Sequence, residues 1–425
     1  MQFSPSKNRN HLDVFCKLIL TTPYLRTYSS DYQRCNIFVF PGIILNIRAK
    51  MLQRKDSSQK EITPIQILVI FDAAKITSHK MKKKKRNILL SILIGAFLLC
   101  AIAGGTVYYY LFAPQFHPSK TVYIYVDRDD TADSIYNKIK KSGHVNKFTG
   151  FYWMAKYKDF KQNIHTGRYA IRPNDNVYHV YSRFSRGYQE AVNLTIGSVR
   201  TLDRLARSIG KQLMIDSAEI AGQLFDPTFQ NKMGYTETTL PSLFIPETYQ
   251  VYWDISVDDF FKRIQKEHER FWDKERLAQA TAIGMTPEEI STLASIVEEE
   301  TNNNEEKPMV AGLYINRLHK DMPLQADPTI KFALQDFGLR RITNEHLKVN
   351  SPYNTYINTG LPPGPIRIPS KKGIDSVLNY TKHNYIYMCA KEDFSGTHNF
   401  ASNYADHMAN ARKYWKALNE RKIFK

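Results

Sequence analysis

Cysteine is scarce in this 425-residue sequence, with four in all. Cys16 and Cys35 lie near the start, Cys100 lies in an apolar run, and Cys389 stands alone near the end. No CxxC or Cys/His spacing points to a metal site, and Cys389 has no partner within 121–425, which excludes a disulfide there. It sits in the apolar stretch 385–390 and reads as a packed strand residue. No Gly-rich phosphate loop, zinc motif or GxSxG elbow is present, so no cofactor and no metal are expected. A long basic run is also missing after residue 120. Residues 1–120 hold 18 Lys+Arg against 5 Asp+Glu, whereas 121–425 hold 41 against 36. A nucleic-acid partner would need a basic face on the folded region, and none is expected. With 43% apolar and 24% charged residues, the chain has ordinary globular composition. Its length allows more than one domain.

Charge is wholly absent from residues 88–112. That is long enough for a membrane-crossing helix, which needs roughly 20 residues. Lys82, Lys83, Lys84, Lys85 and Arg86 precede the run, and Tyr108, Tyr109 and Tyr110 stand at its far end. The positive-inside rule puts the basic flank in the cytoplasm and all that follows outside. The rival reading is a cleaved signal peptide, for which the run is long and Gly104, Gly105 and Thr106 make a weak cleavage site. Residues 1–80 lack sustained periodicity and end just before Met81. The expectation is that Met81 is the initiator and 1–80 a translated upstream stretch; the alternative is a short cytoplasmic region.

Residues 113–120 read as a linker. TVYIYV at 121–126 alternates as a strand does. Thr131 caps a helix reaching Lys141, and a second helix covers about 147–157. Residues 167–171 form a strand, 173–176 a turn, 176–184 a helix, 192–196 a strand and 202–213 a helix. The stretches 132–139 and 177–184 resemble each other. This fits either small repeated strand–helix units, of the kind seen in glycan-binding modules, or ordinary amphipathic helices. Residues 244–249 read as an aromatic loop, and 257–271 as a helix linking two modules. The fold class is α+β: a transmembrane helix, a small module at 121–255, and a mixed α+β domain at 256–425, with 81–112 as basic flank and span.

The densest features lie after Met285. Thr286 can cap, Pro287 suits the first turn, and Glu289 completes a capping box. Ile290, Leu293, Ala294 and Val297 then recur at helical spacing. The helix runs into Glu298, Glu299 and Glu300. At about 100° per residue, Glu299 points away from the apolar stripe, Glu298 lies on a flank, and Glu300 is nearest the stripe. A carboxyl there is partly desolvated, so its pKa rises and it stays protonated, as a general acid must. The bland alternative is a solvated acidic helix end. Against it stands the dipole cost of about 0.3–1 kcal/mol for each acidic residue at a helix C-terminus.

Val310, Leu313, Tyr314 and Leu318 mark the next helix, which carries Asn316 and Arg317. Asp327 and Pro328 force a turn, so Gln325 and Asp327 can face a cleft; the alternative for Asp327 is an Asx-type cap. Tyr353, Asn354, Thr355 and Tyr356 offer flat faces, amides and hydroxyls suited to sugar. The neighbouring loop 360–366 is rich in Pro and Gly, and a rigid structural loop fits as well. His398 is either a polar site residue or a packed hairpin residue. A last helix covers about 404–418. No second carboxylate with a motif of its own accompanies Glu300, as a two-carboxylate glycosidase would require.

Five blocks occur in order: LASIVEEET at 293–301, INRL at 315–318, LQADPT at 324–329, SPYNTY at 351–356 and GLPPGPI at 360–366. Together they resemble the bacterial endolytic murein transglycosylases, over essentially the whole chain after Met81. The resemblance implies a LysM-like module before the catalytic domain. It implies cleavage between N-acetylmuramic acid and N-acetylglucosamine with a 1,6-anhydro end, and work beside membrane-bound peptidoglycan synthases. The family's catalytic glutamate, the second of a Glu-x-Glu-Thr motif, falls on Glu300. Lysine often stands where this sequence has Glu299. The expected substrate contacts are Glu298, Gln325, Asp327, Tyr353, Asn354, Thr355 and His398. The competing readings are a non-catalytic, membrane-anchored peptidoglycan-binding scaffold and a hydrolytic muramidase.

Overall fold

The computed structural model describes residues 83–421. The expectations about Met81 and residues 1–80 lie outside the described residues. Helix α1 (Lys83–Leu111) contains the charge-free run. Its segment Asn87–Leu111 alone, among the described residues, is long and apolar enough to cross a bilayer, and its apolar window is not buried by protein. The rest is a mixed α+β fold with three separate two-stranded antiparallel sheets among the described residues.

The expected linker 113–120 is instead built into the first unit. Pro114 bridges to Asn176 and Phe116 to Val145, and Phe116 is fully buried. The unit runs β1 (Val122–Val126), α2 (Ala132–Ser142), α3 (Thr149–Tyr157), β2 (Gly167–Ile171) and α4 (Val177–Ser185). Val122 lies opposite Ile171 and Val126 opposite Gly167. Thr131 caps α2 by accepting from the Ser134 amide, and Asn176 caps α4 by accepting from that of His179. Ile124, Ile135, Phe151, Tyr169 and Val180 meet in one apolar cluster.

A second unit repeats this plan: β3 (Val192–Ile196), α5 (Leu202–Gly210), α6 (Ser217–Leu224), α7 (Pro227–Met233), β4 (Glu247–Val251) and α8 (Val257–Phe271). Residue by residue the correspondence is close. Val122–Val126 and Thr131 recur 70 residues later as Val192–Ile196 and the cap Thr201. Gly167–Ile171 and the cap Asn176 recur 80 residues later as Glu247–Val251 and the cap Ser256. The buried Val180, Tyr181 and Phe184 become Phe260, Phe261 and Ile264. Even a local bond recurs: the hydroxyl of Tyr169 donates to the His165 carbonyl, and that of Tyr249 to the Ile245 carbonyl. The repeat thus pairs the first half of each unit with the first half of the other, not 132–139 with 177–184. Residues 121–255 accordingly contribute to two cores rather than one. The aromatic stretch 244–249 is not a loop throughout, because Glu247 onward pairs with β3. Nor is α8 a mere link: Phe260, Phe261 and Ile264 belong to the second core.

The third core gathers α9 (Lys274–Ile283), α10 (Pro287–Glu300), α11 (Lys307–Leu318), α12 (Asp327–Ala333), α13 (Lys371–Leu378) and the hairpin β5 (Tyr387–Ala390) and β6 (His398–Ala401), with α14 (Tyr404–Glu420) packed on the hairpin. The predicted capping box forms: Thr286 Oγ1 accepts from the Glu289 amide and Glu289 Oε2 from the Thr286 amide. The expected single apolar stripe on α10 does not describe it. Every residue from Ile290 to Val297 is buried, so the helix is enclosed on all sides. The loop 360–366 is the structural alternative realised. Pro362, Gly364, Pro365 and Ile366 are buried, and the Ile366 amide donates to Ser295 Oγ at 3.0 Å. A Cβ at Gly364 would fall 1.9 Å from the Thr238 carbonyl oxygen, a gap only glycine fits.

Candidate active site

The end of α10 sends three adjacent carboxylates in three directions. Glu298 Oε2 accepts from the backbone amide and hydroxyl of Ser370, at 3.0 and 2.7 Å, where α13 begins. Lys307 lies 3.8 Å from its other oxygen. Glu299 is held between two arginines: Arg200 donates to both oxygens at 2.7 and 2.8 Å, and Arg367 donates to one at 2.9 Å. Glu300 turns to α11, where the Tyr314 hydroxyl donates to its Oε1 at 2.9 Å. Each carboxylate thus has its own donor, which offsets the unfavourable helix dipole there. The solvated-end alternative fails, since Glu298 and Glu299 are each only 14% exposed at the side chain. Glu299, which the wheel turns away from the apolar stripe, meets Arg200 of the second unit and Arg367 there.

The acidity of Glu300 is strongly altered. Burial, joined by the Asp327 charge, raises its pKa from 4.5 to about 7. The Tyr314 hydrogen bond, Lys331 and Arg317 oppose this. The residue retains intermediate exposure, so its carboxyl is closely walled yet not sealed off. Tyr314 is itself fully enclosed, and desolvation raises its pKa well above 10.0, keeping it a neutral donor. A carboxyl whose pKa is raised toward neutrality is suited both to give a proton and to take one back.

The 323–327 loop carries the expected polar residues. Arg317, nearly buried, donates to the carbonyls of Ile386, Pro323 and Leu324 and reaches Gln325 Oε1 at 3.4 Å. Gln325 has φ of 51°, and its amide donates to the Thr355 carbonyl. Both Gln325 and Asp327 are exposed. The Asx-cap alternative for Asp327 is not realised: Ala326 occupies the cap position without a side-chain bond. Instead Asp327 Oδ1 accepts from the Tyr356 hydroxyl at 2.5 Å. Glu300, Tyr314, Gln325, Asp327 and Tyr356 thus converge beside Arg317.

Other expected contacts lie differently. Asn354 is fully buried; its Nδ2 donates to the Leu347 and Val349 carbonyls, and its Oδ1 accepts from the Tyr356 amide. Thr355 is 2% exposed, its hydroxyl accepting from the Ala326 amide and paired with Thr329. Both depart from the expectation of sugar contact, because their polar atoms are already partnered within the loops. Tyr353 packs its ring 4.7 Å from that of Phe332. His398 pairs through Nδ1 with Glu306 at 3.1 Å, and its amide donates to the same carboxylate. It is held in the hairpin, and Glu298 is held by Ser370. Tyr314 and Tyr356 were legible only in part. A tyrosine within the otherwise aliphatic stripe of α11 needs a partner for its hydroxyl, and that was the available signal. Among the described residues no group of three or more His, Cys, Asp or Glu side chains could hold a metal.

The YceG-like family matches residues 124–413. The endolytic murein transglycosylase of Bacillus subtilis strain 168 is 27% identical over 341 residues, covering 75% of this chain and 93% of that protein. The endolytic murein transglycosylase of Streptococcus pneumoniae strain D39 is 27% identical over 358 residues; the match covers 75% of this chain and 64% of that protein. A putative YceG-like protein from Listeria monocytogenes, solved at 2.6 Å, is 27% identical, covers 68% of this chain and 99% of its own, and superposes with a TM-score of 0.47.

Proposed function

The chain belongs to the YceG-like family, and from that footing we propose that it is a membrane-anchored endolytic peptidoglycan lytic transglycosylase. The observation that carries this reading is the walled carboxyl of Glu300, held near neutral pKa by burial and oriented by Tyr314. The relatives named as endolytic murein transglycosylases supply the substrate class.

In the proposed reaction protonated Glu300 gives its proton to the oxygen joining C1 of N-acetylmuramic acid to N-acetylglucosamine. The C1–oxygen bond breaks and positive charge develops at C1. The C6 hydroxyl oxygen of the same muramyl residue closes on C1, and the Glu300 carboxylate accepts its proton. The products are a 1,6-anhydromuramyl end and a free N-acetylglucosamine hydroxyl, with no water consumed. One carboxyl serves both transfers, which accounts for the absence of a dedicated second acid. Asp327 is the nearest candidate for a supporting charge. Its carboxylate raises the Glu300 pKa, and it would favour positive charge on the sugar. Gln325 and Tyr356 are the proposed sugar contacts.

The span Asn87–Leu111 is proposed to anchor the chain in the cell membrane with its N-terminus cytoplasmic and Glu300 outside. The two repeated units are read as LysM-like, supported by the repeat itself. Membrane-bound synthases are the proposed neighbours, with cleavage ending strand growth. Detergent-solubilised full chain acting on glycan strands, followed by mass analysis of the ends, tests the chemistry. Anhydro ends are expected. Reducing ends would make the enzyme a hydrolase, and no cleavage would leave a peptidoglycan-binding scaffold.

A further inference from the structure

Helix α3 leaves an aromatic and basic face uncovered. Trp153 is 50% exposed and Tyr157 81%. Leu111, Trp153, Met154, Lys156, Tyr157 and Lys158 line an open groove of about 730 Å³. Residues 147–163 contain four lysines and one acid, Asp159. Phe151 and Ala155 turn into the core of the first unit, whereas Gly150, Trp153 and Tyr157 share the opposite face at helical spacing, with Gly150 and Trp153 against the end of α1 and the Tyr157 ring left in the open.

The position of this face is set by the end of α1. The Trp153 ring lies 5.0 Å from that of Tyr110. A Cβ on Gly150 would lie 2.2 Å from the Tyr110 carbonyl oxygen, so the two helices meet backbone to backbone. The Lys147 ammonium sits 5.1 Å from the Tyr109 ring centre. Gln115, itself buried, donates to the Tyr109 carbonyl at 2.8 Å. The first unit is thus fastened to the last turn of α1.

Length then fixes depth. The 25 residues of Asn87–Leu111 rise about 37 Å as a helix, against a hydrocarbon core of about 30 Å. The final turn therefore emerges in the headgroup layer, where Tyr and Trp are favoured. Whatever touches that turn lies in the same layer. Lysines there meet lipid phosphates, a favourable pairing at an anionic surface.

We propose that α3 is a membrane-docking helix. Trp153 and Tyr157 rest in the headgroup layer of an anionic phospholipid bilayer, with Lys156 and Lys158 against its phosphates. The first unit is then seated on the bilayer rather than swinging from it, and it fixes the direction in which the following units leave the membrane. The proposal rests on the reading that α1 spans the membrane.

The test uses the full chain reconstituted into phosphatidylcholine vesicles with and without phosphatidylglycerol. Flotation after an alkaline wash reports the anchor. Quenching of tryptophan emission by lipids spin-labelled near the headgroup reports docking. Wild type should be quenched, Trp153→Phe should lose the quenched component, and Lys156→Glu with Lys158→Glu should weaken quenching most in the anionic vesicles. Equal quenching of wild type and Trp153→Phe in a chain that floats would overturn docking while the anchor stands. Quenching insensitive to lipid charge and to both lysine changes would overturn the phosphate contact. A chain that does not float would overturn the anchor and the docking with it.

Discussion

Replacing Glu300 by Gln separates two consequences of one buried carboxyl. The amide keeps an oxygen to accept from the Tyr314 hydroxyl, so the packing is retained, but it can neither give nor take a proton. Turnover should fall by at least about 10²–10⁴-fold, the usual worth of a positioned acid/base. The stability effect follows from linkage. Below pH 4.5 the folded and unfolded wild-type chains both hold the proton. Between 4.5 and about 7 only the folded chain holds it, so wild-type stability falls as pH rises through that window. Above about 7 the loss is complete, and a pKa held at about 7 instead of 4.5 corresponds to about 3 kcal/mol. Glu300→Gln has no such loss. It should match wild type near pH 4 and exceed it by up to about 3 kcal/mol at pH 8.5. Trp272, buried in the same core, offers a fluorescence signal for urea unfolding at the two pH values. Parallel stability–pH curves for the two proteins would refute the assignment of a raised pKa to Glu300. Full activity in Glu300→Gln would move the catalytic role elsewhere.

Tyr314→Phe removes the donor that opposes the rise in the Glu300 pKa. A hydrogen bond worth about 1 kcal/mol predicts that the alkaline fall of the pH–rate profile moves up by about 0.7 pH unit, and an unmoved limb would contradict the pairing. Glu299→Lys would place a third cation between Arg200 and Arg367. It should lower the thermal midpoint more than Glu299→Ala, whose expected cost is about 1–3 kcal/mol after allowance for the part-exposed Arg200. Equal midpoints would show the pairings to be immaterial. Asn354→Ala removes three buried hydrogen bonds and should cost about 3 kcal/mol, with faster proteolysis within 345–358; unchanged cleavage would mean the loop is held by other contacts.

Much of the local structure was legible because its causes are local. Thr131, Asn176, Thr201 and Thr286 cap helices through bonds to amides three residues on, and such spacing is visible in the sequence. Strands β1, β2 and β3 alternate or cluster β-branched and aromatic residues, and their bounds were nearly correct. The failures share a cause as well. A helical wheel assumes one buried face, but α10 is buried all round from Ile290 to Val297, because neighbours arrive from several elements. The wheel therefore turned Glu299 away from the apolar stripe without showing that Arg200 and Arg367 meet it there. Likewise β4 is recognisable only from its partner β3, and the repeat only from the two cores that it builds.

By itself, then, the sequence determined an apolar span and a capped helix ending in three glutamates. Tertiary structure decided what each glutamate does. Ser370 lies 72 residues after Glu298 and Arg200 lies 99 residues before Glu299, and no periodicity along the chain encodes such a meeting. The pKa of Glu300 is a property of the same kind. It depends on how many protein atoms replace water around one carboxyl and on where Asp327, Lys331 and Arg317 come to rest. Those positions exist only once α10, α11 and α12 have packed.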